Sequence, residues 1–460
     1  MLTRTPNLLT RLSIILTIGT LAGLATGAAP EPVDGPAHIL SINPEHPTDR
    51  DLDPVLEAIG DTRIVVLAAA TPGDGATHWA RVRLANALID RAGFSVIAFE
   101  AGFYDCRAMN TQFAAGTDPS LTPRAGLPEQ LSSSGYMQRL YRNIWKSYFK
   151  PAPTEVAGFD FRHTGARTAR QLPRDLFRYL GNLEPNPLTK EQRRKYLTVL
   201  ERLVEAKDAG DDTEIVRSWE QLHELRQVLE ANREALSEAE GEPLYEVWSL
   251  ILDDAILNAE AAMSFDGDVS TLPADNARQA HMGDRLLWLA RVQYPDRRII
   301  VFCQTLTAIA DPGSLIVEPD ADLVDEYRSA GQIWRKALGD DLYTIAFTAE
   351  RGESGWIQGP SLPVPEAITG SVEARLAKAD WPFLFEPLRG NTDPWWQTPR
   401  PSTLTGLNRR LMAEDNLPRE QRFNAIWPEQ IDAVFFIEEM FANNWKAEPP
   451  EGVIDTVNIE

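Results

Sequence analysis

The sequence predicts an α/β fold: a mostly parallel central sheet with helices on both faces and a large helical insertion. Three observations predict it. Residues 63–99 read as strand, helix, strand, a unit that pairs its strands in parallel. Four more short apolar runs, rich in β-branched and aromatic residues, bring the set to about six strands. Between the third and fourth strands lies a long charge-rich block whose apolar residues recur at spacings of three and four, the helical period.

The elements follow in chain order. Residues 1–29 carry Arg4 and Arg11, then an apolar run from Leu12 to Leu24 that ends in the small residues Ala25-Thr26-Gly27-Ala28-Ala29. This is the pattern of a secretory signal peptide, so the protein is expected to be exported, periplasmic or secreted. A Pro-rich extended leader over 30–50 precedes the main domain, 51–445. Arg63–Ala68 is the first buried strand. A loop, Thr71-Pro72-Gly73-Asp74-Gly75, leads to a helix over His78–Arg91 that Gly93 should stop. Phe94–Phe99 is the second strand and ends at Glu100. Glu155–Asp160 is the third. Helices are expected over Glu191–Ala206, Thr213–Ser237, Leu244–Met263 and Asp275–Val292, within an insertion spanning about 165–295. Arg298–Cys303, Leu342–Phe347 and Ala433–Ile437 complete the strands. The Pro-rich Ser361–Pro365 and the Trp/Pro-rich Pro382–Pro401 read as loops, and as ordered ones because they hold aromatics such as Trp395 and Trp396. Residues 446–460 form a C-terminal tail.

Composition bounds the partners. With 45 Lys+Arg against 67 Asp+Glu, the formal charge is −22, which repels a phosphate backbone and excludes nucleic acid as a natural partner. After the leader no apolar stretch approaches the ~20 residues of a membrane-spanning helix, so the mature chain should not span a membrane. Cys106 and Cys303 are the only cysteines; they are two buried thiols or one disulfide, and geometry decides which.

Most chemical motifs are missing. There is no GxSxG elbow, HExxH, Walker A loop or EF-hand. The six histidines, His38, His46, His78, His163, His223 and His281, form no closely spaced metal-binding pair, so neither a metal nor a cofactor is called for. Position is more informative. In open α/β sheets, sites collect at the carboxyl ends of the parallel strands. Glu100 and Asp160 close apolar strands at that rim, Gln304 and Thr307 follow the fourth, and Arg81 and Arg83 begin the first crossover helix. These arginines can hold a carboxylate or oxyanion; alternatively Arg81 simply neutralises Glu100.

Several segments together resemble the erythromycin esterase family, hydrolases that open the macrolactone ring of macrolide antibiotics. They are Asp51–Val55, Ile59–Val65, Arg81-Val82-Arg83, Gly93–Glu100, Gly158-Phe159-Asp160, Met282–Leu289, Leu338–Phe347 and Asp432–Ile437, and the resemblance spans roughly residues 50–445. It implies a cleft roofed by the helical insertion and lined by Arg81, Glu100, Asp160 and Gln304. It also implies a departure. Where the family has a Gly-Glu-Ala-Thr/Ser-His-Gly loop, this chain reads Ala68-Ala69-Ala70-Thr71-Pro72-Gly73. Where the family has His-Asn-x-His, it reads Gln304-Thr305-Leu306-Thr307. A family histidine serves as general base, and Pro72, Gln304 and Thr307 cannot titrate in its place.

The first expectation is therefore an exported erythromycin esterase-like protein with a degenerate hydrolase site, a pseudoenzyme binding a small amphipathic molecule through Arg81, Arg83, Glu100, Asp160 and Gln304. The second is an ester hydrolase with rebuilt chemistry, using Glu100 and Arg81 with His78 or His163. The third is an interaction module that uses the acidic helical insertion.

Overall fold

A computed structural model describes residues 35–165, 168–205, 212–263, 272–317, 326–357, 359–405, 423–446 and 448. The signal-peptide pattern and almost all of the tail lie outside the described residues.

The described residues form twelve strands: β1 (Ala37–His38), β2 (Ile64–Ala69), β3 (Phe94–Gly102), β4 (Glu155–Asp160), β5 (Arg298–Gln304), β6 (Ile316–Val317), β7 (Leu342–Gly355), β8 (Ser361–Pro363), β9 (Phe383–Pro387), β10 (Arg400–Ser402), β11 (Phe423–Ala425) and β12 (Ala433–Met440). The main sheet runs β1-β9-β12-β7-β2-β5-β3-β4, with β8 added to β7. Its centre, β12-β7-β2-β5-β3-β4, is parallel throughout and consists of the six strands expected from the apolar runs. Buried on both faces, such strands read as continuous apolar sequence. The strand–helix–strand unit is parallel as expected, but β5 inserts between its two strands. β10, β11 and β6 form a separate antiparallel sheet.

Alternation along each strand divides the core. Val66, Ala68, Val96, Ala98 and Val301 face one side, where Thr168–Leu180, Lys190–Glu205, Asp212–Ala231, Glu242–Met263 and Leu272–Trp288 supply the cover. Val65, Leu67, Ile97, Phe99 and Phe302 face the other, under Asp53–Ile59, Gly75–Ala92, Phe103–Ala114 and Gln138–Ser147. Gly93 ends the first crossover helix at φ 71°, a left-handed conformation that glycine adopts without strain. Cys106 and Cys303 belong to opposite faces and are two free, buried thiols.

Three expectations change. The segment Thr213–Ser237 is two helices, Asp212–Ala231 and Arg233–Glu240, broken at Asn232. The two Pro-rich stretches contain strands: β8 closes a hairpin on β7, and β9 runs antiparallel to β12. Prolines are tolerated there because they sit at strand ends or on the sheet's margin, where fewer ladder bonds are needed. The leader also contributes β1, which pairs with β9.

Candidate functional site at the carboxyl edge of the sheet

β3 continues past Phe99, so Glu100 lies inside the strand. A register shift against β4 between Phe99 and Gly102 marks the place. Gly102 is required: a Cβ there would fall 2.3 Å from Asp105 Oδ2. Alternation puts Glu100 on the face of Ala98, beneath the helical cover. From that cover Arg278, on Leu272–Trp288, reaches the sheet edge. Its Nη2 donates to Glu100 Oε1 at 2.7 Å and to Asp160 Oδ2 at 2.7 Å, and its Nε donates to Asp160 Oδ2 at 3.0 Å. Glu100 Oε2 accepts the Gln304 N–H at 3.1 Å and the Thr307 hydroxyl at 3.4 Å. Arg162 closes the group, with its backbone N–H on Asp160 Oδ1 and its Nε on Oδ2.

Asp160 is fully buried while the Arg162 side chain is half exposed. Burial opposes ionisation of Asp160, yet the charges of Arg162 and Arg278 prevail and hold its carboxyl well below the usual range. The same two carboxylates drive the Arg278 guanidinium pKa up, against the effect of its burial. The rim is thus a fixed array of two carboxylates bridged by one cation, with a second cation open to solvent.

Arg81 approaches from the opposite face. Its guanidinium lies over the Phe302 ring, 4.2 Å from the centroid. The side chain is buried, and its Nε has no hydrogen-bond partner among the described residues. Burial lowers its pKa to about 10 although Cys303, Glu100, Tyr141 and Asp74 all favour the charge. A buried guanidinium that lies on an aromatic face with its Nε unpaired is chemically suited to an oxyanion or carboxylate.

The other expected residues fall elsewhere. Arg83, two residues along the same helix, points away from Arg81 and clamps the leader. It donates to Asp51 Oδ1 at 2.6 Å and to Oδ2 at 2.9 Å, and also to the carbonyls of Ser41 and Thr48. His78 is buried, and its Nε2 donates to the Pro72 carbonyl at 3.1 Å. Burial lowers its pKa to about 3, with Arg81 adding to the effect. His163 makes no hydrogen bond to Glu100; its Nδ1 is buried without a partner among the described residues, and burial lowers its pKa against the pull of Asp254 and Asp160. Gln304 serves Glu100 through its backbone, and its side chain is exposed. Thr71, Gly73 and Asp74 close a tight turn through the Asp74 carboxylate and the Thr71 hydroxyl. Sequence reasoning missed Arg278 and Arg162. Arg278 sits four residues before Met282–Leu289, on a helix that was legible, but the carboxylates it meets come from other elements.

Among the described residues no group of three His, Cys, Asp or Glu could hold a metal ion. No described helix is long and apolar enough to cross a membrane.

Residues 89–440 match the sequence profile of the family described as Erythromycin esterase. The chain belongs to the erythromycin esterase family. Its relatives in that fold are distant. It is 22% identical over 421 residues to the Bacillus subtilis (strain 168) protein YbfO, whose name assigns it provisionally to the hydrolases; 86% of this chain and 89% of that protein align. A Bacillus cereus protein of known structure superposes with a TM-score of 0.71 at 15% identity, over 89% of this chain and 96% of that one. A mutant of the erythromycin esterase EreC in its open conformation superposes with a TM-score of 0.65 at 14% identity, over 90% and 99% of the two chains. At these identities the structural likeness establishes the shared family fold.

Proposed function

We propose that this protein is an exported member of the erythromycin esterase family in which the inherited water-activating position is lost, and that its rim binds a small amphipathic molecule. One observation carries the reading. Both oxygens of Glu100 are engaged, by Arg278, the Gln304 N–H and Thr307, and neither His78 nor His163 bonds to it. A general base must reach the proton it removes directly or through one water. Proline, glutamine and threonine at positions 72, 304 and 307 offer no titratable substitute. Measured against the inherited route, the protein is a pseudoenzyme. What remains, Arg81, Arg162 and Arg278 around two carboxylates, suits a ligand with a carboxylate or polarised carbonyl on an apolar body.

The test is incubation of purified protein with erythromycin, with ring opening followed by mass spectrometry and binding followed by the rise in melting temperature. Binding without ring opening is the expected result. Ring opening that disappears in Glu100→Ala would overturn the reading. Export is checked separately: the amino terminus of protein recovered outside the cytoplasm should begin near residues 28–30.

A further inference from the structure

We propose that the outer face of Gln138–Ser147 and the turn after it dock this protein on an anionic lipid bilayer, with Phe149 inserted among the headgroups and Arg142, Lys146 and Lys150 on the lipid phosphates. This helix covers the sheet face opposite to Glu100, so the inference is independent of ligand binding at the rim.

The local sequence sets up two faces. Leu140, Tyr141, Ile144 and Ser147 are spaced for one side of the helix and are buried there. Arg142 and Lys146, four residues apart, are left on the outside and are exposed. After Ser147 the backbone tightens. The N–H groups of Tyr148, Phe149 and Lys150 donate to the carbonyls of Trp145, Lys146 and Ser147, at 3.1, 3.3 and 2.9 Å. In a turn with this three-residue period, side chains three apart eclipse, so Phe149 stands over Lys146 and Lys150 continues the row. Phe149 is 66% exposed. Its ring packs edge-on to Trp145, with centroids 5.0 Å apart, and Trp145 packs in turn against the core of its sheet face. The exposed ring is therefore held outward rather than left loose.

A single exposed phenylalanine needs no explanation. The charge around it does. Residues 138–154 contain four cations and no acid, in a chain whose formal charge is −22. Arg139 is engaged by Glu45 at 2.6 Å. Glu155, the next acid along the chain, is held by Arg297 and Tyr294. Arg142, Lys146 and Lys150 form no ion pair among the described residues. Lysines at the end of a helix complement its dipole, which accounts for Lys146 and Lys150 but not for a fixed aromatic ring among them. Cations around an outward aromatic are the composition of an interfacial anchor: the cations meet phosphates, and the ring enters the boundary of the apolar phase. The acidic remainder of the surface does not oppose this, because charges more than about 8 Å from the lipid are screened at physiological salt.

The test uses the mature protein, residues 30–460, which contains every described element. It is sedimented with vesicles of phosphatidylglycerol or of phosphatidylcholine. Affinity for the anionic lipid should be at least ~10-fold the higher, and should weaken in about 1 M salt, where the screening length is ~3 Å. Lys146→Gln with Lys150→Gln should lower it ~30-fold, at ~5-fold per cation. Phe149→Ser should lower it about 10-fold. Arg174→Gln with Arg194→Gln removes the same charge from exposed positions on the opposite cover and should leave it unchanged. All these side chains are exposed, so melting temperatures should stay at the wild-type value. No binding to phosphatidylglycerol, equal binding to both lipids, full binding by the lysine or the Phe149 variant, or capture by heparin with none by vesicles would overturn the proposal.

Discussion

Arg278 and Asp160 are 118 residues apart in sequence and share two hydrogen bonds, Nε and Nη2 to one carboxylate oxygen, at 3.0 and 2.7 Å. This contact ties the helical cover to the end of β4 and, through the bond from the same Nη2 to Glu100, to the end of β3. Removing one partner of a buried pair leaves the other charge uncompensated, which costs about 3–5 kcal/mol. Arg278→Met should therefore lower stability by that amount, read as a shift in the urea midpoint with little change in slope. Asp160 is the charge left stranded. The double variant Arg278→Met with Asp160→Asn should recover part of the loss, since the buried charge is then gone.

Asp160 also sets an acid limit. Its folded-state pKa lies below the ordinary value of about 3.9, so its contribution is present above that value and is lost as pH falls further. Below about pH 4 the unfolded chain takes up a proton that the native Asp160 resists. Acid denaturation curves should show wild type losing stability more steeply below pH 4 than Asp160→Asn does, from a higher starting point. Equal slopes would mean that Arg162 and Arg278 do not hold Asp160 ionised.

Asp105 has the opposite sign. Burial pushes its carboxyl pKa up to about 7, although the N–H groups of Thr164 and Gly165 favour the anion. The native state therefore keeps a proton that the unfolded state gives up, and stability is lost as pH rises from about 4 to about 7. Asp105→Asn removes that titration and keeps an oxygen for the two N–H donors. Its melting temperature should match or trail wild type at pH 4.5 and exceed it at pH 8. Wild type gaining as much as the variant between those pH values would contradict the assignment.

The six parallel strands were legible because burial on both faces leaves few polar positions to confuse the pattern. Glu100 and Asp160 were legible for a related reason: an acid that closes an apolar strand stands at the edge where sites form. β9 was not, because Phe383-Leu384-Phe385 lies between prolines and its partner β12 is more than forty residues on. Arg278 was hidden differently. Its helix follows from spacing, but Glu100 and Asp160 come to it from other elements. Only the crossing of that helix over the sheet edge distinguishes it from any solvated charge.

Arg81 and Arg83 separate stability from binding on a single helix. Arg83 is buried with an equally buried Asp51 and donates to two carbonyls as well. Arg83→Met strands Asp51 and should cost about 3–5 kcal/mol while leaving the response to ligand intact. Arg81 bears a charge that burial disfavours, and its gain from the Phe302 ring is about 0.5–2 kcal/mol. Exchanging a poorly compensated buried charge for an apolar side chain of similar volume is often neutral or stabilising. Arg81→Met should therefore stay within about 1 kcal/mol of wild type, or above it, while the erythromycin-induced rise in melting temperature is reduced. Such a side chain, which the fold does not need and the ligand does, is what a binding role predicts. Urea titrations of both variants, alongside thermal shifts at matched ligand concentrations, resolve the two roles. A large loss of stability in Arg81→Met, with ligand response unchanged, would place Arg81 in the scaffold and leave Arg162 and Arg278 as the cations of the rim.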